Sequence, residues 1–248
     1  SFGSNPQVRM YFDEDIGEWG QPSPDNPWFN QQPRHDFNVG YDYNHESEKT
    51  KEFCKRVFKF WVEEYRIDGF RLDLSKGFTQ NNTIGNVELW NAYDQSRINI
   101  LTEYANHIWS NYPEKYFILE HFANNDEEQV LSNNGFLLWG NMHSHYTEAS
   151  MGYGGDLSWG VYTNRGWGSP NLISYMESHD EERLMFNNIN FGNSSSDYFV
   201  QMSNTSLARQ ELSFVFLIPI PGPKMIWQFG EIGYDYSINY CENGTINN

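Results

Sequence analysis

The segment Ile67-Asp68-Gly69-Phe70-Arg71-Leu72-Asp73-Leu74 reads as a short strand that ends in charge. A strand buried on both faces of a parallel sheet is expected to be apolar throughout, and Arg71 and Asp73 break that rule. A period of two puts both side chains on one face, where the guanidinium would hold the carboxylate ionised. A cationic, oxocarbenium-like transition state needs such an anion, although a buried structural ion pair fits the same two residues. The apolar run Phe117-Ile118-Leu119 repeats the violation, since Glu120 and His121 follow it. A carboxyl at the end of an apolar strand can sit in a partly dry site, and desolvation then raises its pKa toward that of a general acid. The alternative is a solvated strand end. A third violation is Met176-Glu177-Ser178-His179-Asp180-Glu181-Glu182-Arg183, directly after the apolar Leu172–Tyr175. So many ionisable groups at one strand end are costly unless they face a polar cleft.

These residues need a scaffold, and the hydrophobic pattern supplies one. Residues 46–65 form the clearest helix: Phe53, Val57 and Trp61 recur every fourth position, Cys54, Phe58, Val62 and Tyr65 extend that face, and Asn44 or Ser47 could cap it. A second helix is expected from about Tyr93 to Tyr112, with Ile98, Leu101, Ala105 and Ile108 on one side. Strands are expected at 67–74, 116–122, 136–139, 172–176 and 224–229. Residues 205–217 read as a helix stopped by Pro219, Pro221 and Pro223. Residues 1–45, rich in Pro, Gly, Asn and aromatics, read as irregular loop. Strands alternating with helices predict βαβ units and a parallel sheet. Periodicity alone leaves open whether that sheet is a doubly wound one or a closed barrel. In a closed parallel barrel the C-terminal strand ends line the active site, and the three charged ends would meet there.

Composition narrows the partners. The net charge of −17 and the lack of any basic run exclude a phosphate-rich, nucleic-acid partner and disfavour an anionic membrane. A neutral glycan is compatible, and the 9 Trp, 16 Tyr and 18 Phe could provide flat rings that stack on sugars as well as packing. No apolar stretch is long enough to span a bilayer. The start, Ser1-Phe2-Gly3-Ser4-Asn5-Pro6, does not read as a signal peptide. Cys54 and Cys241 lie in no zinc-type spacing, and Cys54 is expected to be a buried thiol. His143 and His145 form an H-x-H without a placed acidic partner, so they are expected in the loop after a strand rather than on a metal. Asn243-Gly244-Thr245 is a glycosylation sequon.

Taken together these motifs resemble the α-amylase family of glycoside hydrolases. Gly69-Phe70-Arg71-Leu72-Asp73 is similar to the segment carrying the family's nucleophile, Leu119-Glu120 to that carrying its acid/base, and Glu177-Ser178-His179-Asp180 to that carrying its transition-state-stabilising Asp. Met225-Ile226-Trp227-Gln228-Phe229-Gly230-Glu231 resembles the eighth strand, and His35-Asp36-Phe37-Asn38 a motif near the end of the inserted B domain. The resemblance runs from about Asp36 to Glu231. It implies a (β/α)8 TIM-type barrel represented by strands four to eight, with residues 1–45 as the end of the B domain and 46–248 as the catalytic barrel portion. The first three strands, with their Asp and His motif, and the following all-β domain are expected to lie outside this chain.

The resemblance implies a retaining double displacement on α-glucosidic bonds of starch-like glucans. Asp73 would be the nucleophile, Glu120 the acid/base and Asp180 the group that fixes sugar hydroxyls. Arg71 and His179 would orient these groups, and Lys76 would touch a sugar downstream of the cleaved bond or else be solvated. A structural calcium is implied by the family without assignable ligands, no cofactor is required for the chemistry, and export of the parent protein is compatible with a polymer substrate. Many α-amylases carry Lys-His after the nucleophile, whereas here Gly77 follows Lys76. Transglycosylases, debranching and branching enzymes of the family, and a non-catalytic carbohydrate-binding fragment, are the alternatives.

Overall fold

A computed structural model describes residues 10–13, 18–37 and 40–241. Asn38, the sequon at Asn243 and the segment Ser1–Pro6 lie outside the described residues. The chain divides into two compact units, one up to Phe136 and one from Leu137 onward.

The first unit opens with an antiparallel pair, β1 (Met10–Asp13) and β2 (Glu18–Pro22), within the segment expected to be irregular. Helix α1 (Glu48–Tyr65) follows, then β3 (Gly69–Leu72), α2 (Val87–Asn91), α3 (Gln95–Trp109), β4 (Tyr116–Leu119) and α4 (Asn125–Asn133). Strands β3 and β4 pair in parallel, with Gly69 opposite Tyr116 and Leu72 opposite Leu119. A glycine is required at 69 because a Cβ there would lie 2.4 Å from the Tyr116 carbonyl oxygen.

The expected stripe on α3 is correct: Ile98, Leu101, Ala105 and Ile108 are all buried. On α1 the expectation was too broad. Val62 is buried, but Trp61 and Tyr65 are exposed and meet at a tilt of 34°, with centroids 4.6 Å apart. Thr50 and Val62 are the buried residues of α1, while Phe53 and Val57 are only half-buried. Ser47 stands at the N-cap, but its hydroxyl donates to the Pro27 carbonyl, and it is the Asn44 side chain that accepts from the Ser47 N–H. Cys54 is partly buried, and burial pushes its thiol up from the ordinary value.

His45 packs below this core. Its ring stacks on Phe78 at 3.8 Å and its Nδ1 lies 3.0 Å from the Tyr104 hydroxyl. Burial lowers its pKa to about 3. The folded state therefore resists a proton that the unfolded chain accepts near 6.5, so stability from this site is lost as pH falls below about 6.5, by roughly 1.4 kcal/mol per unit until about 3. Asp42 works in the opposite sense: burial raises it to about 6, so its contribution fades as pH rises through that value. We expect His45→Gln to flatten the acid side of the stability profile. Denaturant midpoints at pH 7 and pH 5 that differ equally in both proteins would refute this.

The second unit runs β5 (Leu137–Asn141), α5 (His143–Met151), β6 (Leu172–Tyr175), α6 (Leu184–Phe191), α7 (Ser203–Leu217) and β7 (Lys224–Met225), with two 3-10 turns between α5 and β6. β5, β6 and β7 form a parallel ladder. Its core joins Met142, Tyr146, Met176, Leu184 and Leu217. β7 is shorter than the expected strand at 224–229, since only Lys224 and Met225 pair with β6, and the chain turns left-handed further on at Phe229 (φ 67°). His143 and His145 open α5 rather than occupying a loop, and His143 Nε2 lies 2.8 Å from the Glu182 carbonyl oxygen.

Candidate active site

β3 ends at Leu72, so Asp73 stands at the first position beyond the ladder, and Glu120 holds the equivalent place after β4. The parallel register that sets Leu72 opposite Leu119 brings these two positions side by side. Arg71 lies between them. Its Nη1 is 2.6 Å from Asp73 Oδ1, and its Nη2 pairs with Glu120 Oε2. One guanidinium therefore holds two carboxylates. The Asp73 side chain is 75% exposed and that of Glu120 only 10%, so one faces solvent while the other is largely withdrawn from it.

The backbone turns sharply after the charged ends of β3 and β4, at Leu74 and Phe122, and again at Phe229. Leu74 (φ 43°), Phe122 (φ 54°) and Phe229 (φ 67°) adopt the left-handed region that L side chains rarely enter. Such conformations persist where surrounding contacts over-determine them, and they gather at functional sites. After Leu74 a 3-10 turn, Ser75–Gly77, carries Lys76.

Lys76 is not a solvated lysine. Its Nζ donates to Asn91 Oδ1 at 2.6 Å and to the Phe122 carbonyl at 3.0 Å, and it lies 4.2 Å from the Trp90 ring centroid. Burial first, then the Arg97 charge, lowers its pKa to about 8. The His35 ring also stacks on Trp90, at 4.7 Å and 8°. A Cβ built at Gly77 would lie 2.8 Å from His35 Nε2. The imidazole from residue 35 thus occupies the space that a side chain at 77 would need. Gly77→Ala is expected to cost about 1–3 kcal/mol by overpacking. His35→Ala should relieve most of that penalty, and additive losses in the double variant, read by thermal melts, would refute the account.

In the second unit the β6 end carries His179 and Asp180. His179 Nε2 lies 3.4 Å from Asp180 Oδ2, and both side chains are exposed. Trp139 and Trp227 flank the imidazole, with ring centroids 6.2 and 5.7 Å away. The neighbouring acids are used structurally. Glu177 is buried and accepts from the Leu184 N–H at 2.7 Å and from Arg183 Nη1 at 3.3 Å. Burial pushes its pKa up against those bonds. Glu181 is tied to Ser178 and Asn141, and Glu182 accepts from the Ile238 N–H at 3.0 Å. This bracing leaves Asp180 as the solvent-facing acid of the run.

The matching family model is that of the alpha amylase catalytic domain, over residues 12–247. The chain belongs to the alpha-amylase family. The (β/α)8 barrel expected from the motifs is therefore the fold, present in incomplete form as parallel strands β3 to β7 with their helices.

Solved structures resembling this alpha-amylase domain include the type III pullulan hydrolase of Thermococcus kodakarensis (17% identity, TM-score 0.61, 92% of this chain and 38% of that one). A pullulanase from Anoxybacillus sp. LM18-11, complexed with maltotetraose, matches at 17% identity and TM-score 0.59 over 90% of this chain and 32% of its own. Amy13B of Eubacterium rectale matches at 17% and 0.57, over 79% and 36%. The chain spans about a third of the length of these relatives. No curated protein matches it. No helix among the described residues is long and apolar enough to cross a membrane. Among the described residues no group of three His, Cys, Asp or Glu side chains is placed to hold a metal ion.

Next to Glu120 lies a buried polar group of which only His121 stood out in the sequence. Ser75, Arg97, His121 and Glu127 are all buried and joined by hydrogen bonds. Glu127 sits in the first turn of α4, beside Asp126 and Glu128. The available signal was the run of three acids after Asn124, which suits a helix N-terminus; in sequence it reads as a solvated charge run.

Proposed function

We propose that the alpha-amylase domain is the catalytic part of a retaining hydrolase of α-glucosidic bonds, acting on starch-like glucans. The observation that carries the reading is the bridging of Asp73 and Glu120 by Arg71. A retaining mechanism needs its two carboxyls about 5–5.5 Å apart, and a single guanidinium shared between them keeps them close. Their unequal exposure supports unequal roles, since environment separates a nucleophile from a proton donor.

The steps balance. Glu120 gives its proton to the glycosidic oxygen as the bond from that oxygen to the anomeric carbon breaks. The Asp73 carboxylate bonds to the anomeric carbon. Glu120 then takes a proton from water, whose oxygen displaces Asp73 and restores both carboxyls. Asp180, with His179 beside it, would fix the hydroxyls of the distorted sugar, and Arg71 would keep the two reacting carboxyls in place. Replacement of water by a sugar hydroxyl would make the same site a transglycosylase.

The test is the anomeric outcome. Proton NMR during cleavage of maltoheptaose and of pullulan should show α-configured reducing ends before mutarotation. The linkages left in the pullulan products tell α-1,4 from α-1,6 cleavage, since pullulan contains both. Initial release of the β-anomer from either would end the retaining proposal.

A further inference from the structure

Ser75 follows Asp73 by two residues, and it touches the other strand end three ways. Its N–H donates to the Glu120 carbonyl at 2.8 Å, its Oγ lies 3.1 Å from that same oxygen, and 2.8 Å from His121 Nδ1. The far ring nitrogen, His121 Nε2, lies 2.7 Å from Glu127 Oε1. Arg97 then grips Glu127 through Nε at 2.6 Å and Nη2 at 2.7 Å, and returns Nη1 to the Lys76 carbonyl at 2.9 Å. The result is a closed loop of bonds. It begins in the turn after Asp73, passes beside Glu120 and comes back to the same turn.

Protonation follows from the surroundings. Burial pushes Glu127 up, but the bonds from His121 and Arg97 outweigh it and hold its carboxyl below the ordinary range. Burial lowers His121. An ionised Glu127 only accepts, so His121 Nε2 carries the ring proton and Nδ1 accepts the single Ser75 hydroxyl proton, which leaves the Ser75 N–H as the bond to the Glu120 carbonyl. Serine, histidine and glutamate in this order are also the parts of a nucleophilic triad. Here Ser75 and His121 have no solvent exposure, so no substrate reaches the hydroxyl and that use is ruled out.

We infer that Ser75, His121 and Glu127 are positioning residues for Glu120, fixing the donor carboxyl relative to Asp73 so that its proton is aimed at the glycosidic oxygen. The inference rests on the reading of Glu120 as the acid/base. Small displacements of a catalytic group cost large factors in rate, and the loop crosses both strand ends at once. Simple packing would not require a hydrogen-bonded ring with a defined tautomer, because buried polar groups carry a desolvation cost that apolar side chains avoid.

The test compares two substrates in the enzyme and in its Ser75→Ala and His121→Gln variants. One is the unactivated glucan that the enzyme consumes, maltoheptaose or pullulan. The other is α-maltotriosyl fluoride, whose fluoride leaves without a proton from Glu120. The quantity read is kcat/KM, which reports the step that breaks the first bond. Ser75→Ala keeps the backbone bond to Glu120 and removes only a hydroxyl, so it is the variant expected to fold. Its kcat/KM should fall about tenfold or more on the glucan and stay within about twofold on the fluoride. His121→Gln should show the same asymmetry, more strongly. Equal losses on both substrates, or no loss on either, would overturn the positioning role. If the unaltered enzyme cleaved the fluoride and Glu120→Gln showed no leaving-group dependence, the acid/base reading itself would fail instead.

Discussion

On the proposed mechanism, Asp73→Asn is expected to abolish turnover, by about 10⁴-fold or more, while the melting temperature stays within a degree or two. The size follows from the loss of the nucleophile, since removing the attacking group in covalent catalysis costs most of the rate enhancement. The small effect on stability follows from place. The Asp73 side chain is 75% exposed and lies beyond the end of β3, so the isosteric amide leaves the core untouched and the ion pair it loses is largely solvated. Arg71 retains Glu120. Residual activity above about one per cent of the parent, with a chain that still melts cooperatively, would remove Asp73 from the mechanism. A covalent adduct on the peptide containing Asp73, trapped with a fluorinated glycosyl fluoride, is the positive counterpart.

The second large effect is on folding. Glu127→Ala should destabilise the protein by about 3–5 kcal/mol, because it leaves Arg97 charged and buried without its partner. For a domain of this size that corresponds to roughly 6–20 °C in melting temperature. Arg97 is 1% exposed and Glu127 0%, so water cannot replace the lost partner. Arg97→Met alone should cost a similar amount, for the mirror-image reason. The double variant Arg97→Met/Glu127→Leu should be far less damaging than the sum of the single losses, since an apolar pair leaves no orphaned charge. Additive losses in that cycle would mean that the two residues contribute separately.

Both effects trace to the same construction. Two short parallel strands, each four residues long, end in register. Their ends present charge, and the loop of Ser75, His121, Glu127 and Arg97 lies behind that charge. Of these parts, the sequence displayed the front more clearly than the back. Arg71, Asp73 and Glu120 stand out because charge interrupts apolar runs. Glu127 does not, because an acid beside two acids at a helix start looks like any solvated charge run, and Arg97 looks like one polar residue on an amphipathic helix. Lys76 was visible as a charge but its environment was not: stacking against Trp90 and bonding to Asn91 join positions 15 residues apart in sequence or nearly so.

The sequence by itself determined the strand–helix alternation, the buried face of α3, the family and the positions where charge violates burial. The family follows from the resemblance of its motifs, and the rest from period and composition, which are local. Element ends were less legible. β7 stops at Met225 and the Phe229 turn is left-handed, and α4, α5 and α6 are too short for a 3.6-residue period to declare itself. Tertiary structure alone decided that one guanidinium serves both Asp73 and Glu120, that His35 fills the space beside Gly77, and that a buried ring of hydrogen bonds ties the two strand ends. Each depends on contacts between residues 40 or more positions apart, and the energy of such contacts comes from desolvation and geometry that no local pattern records.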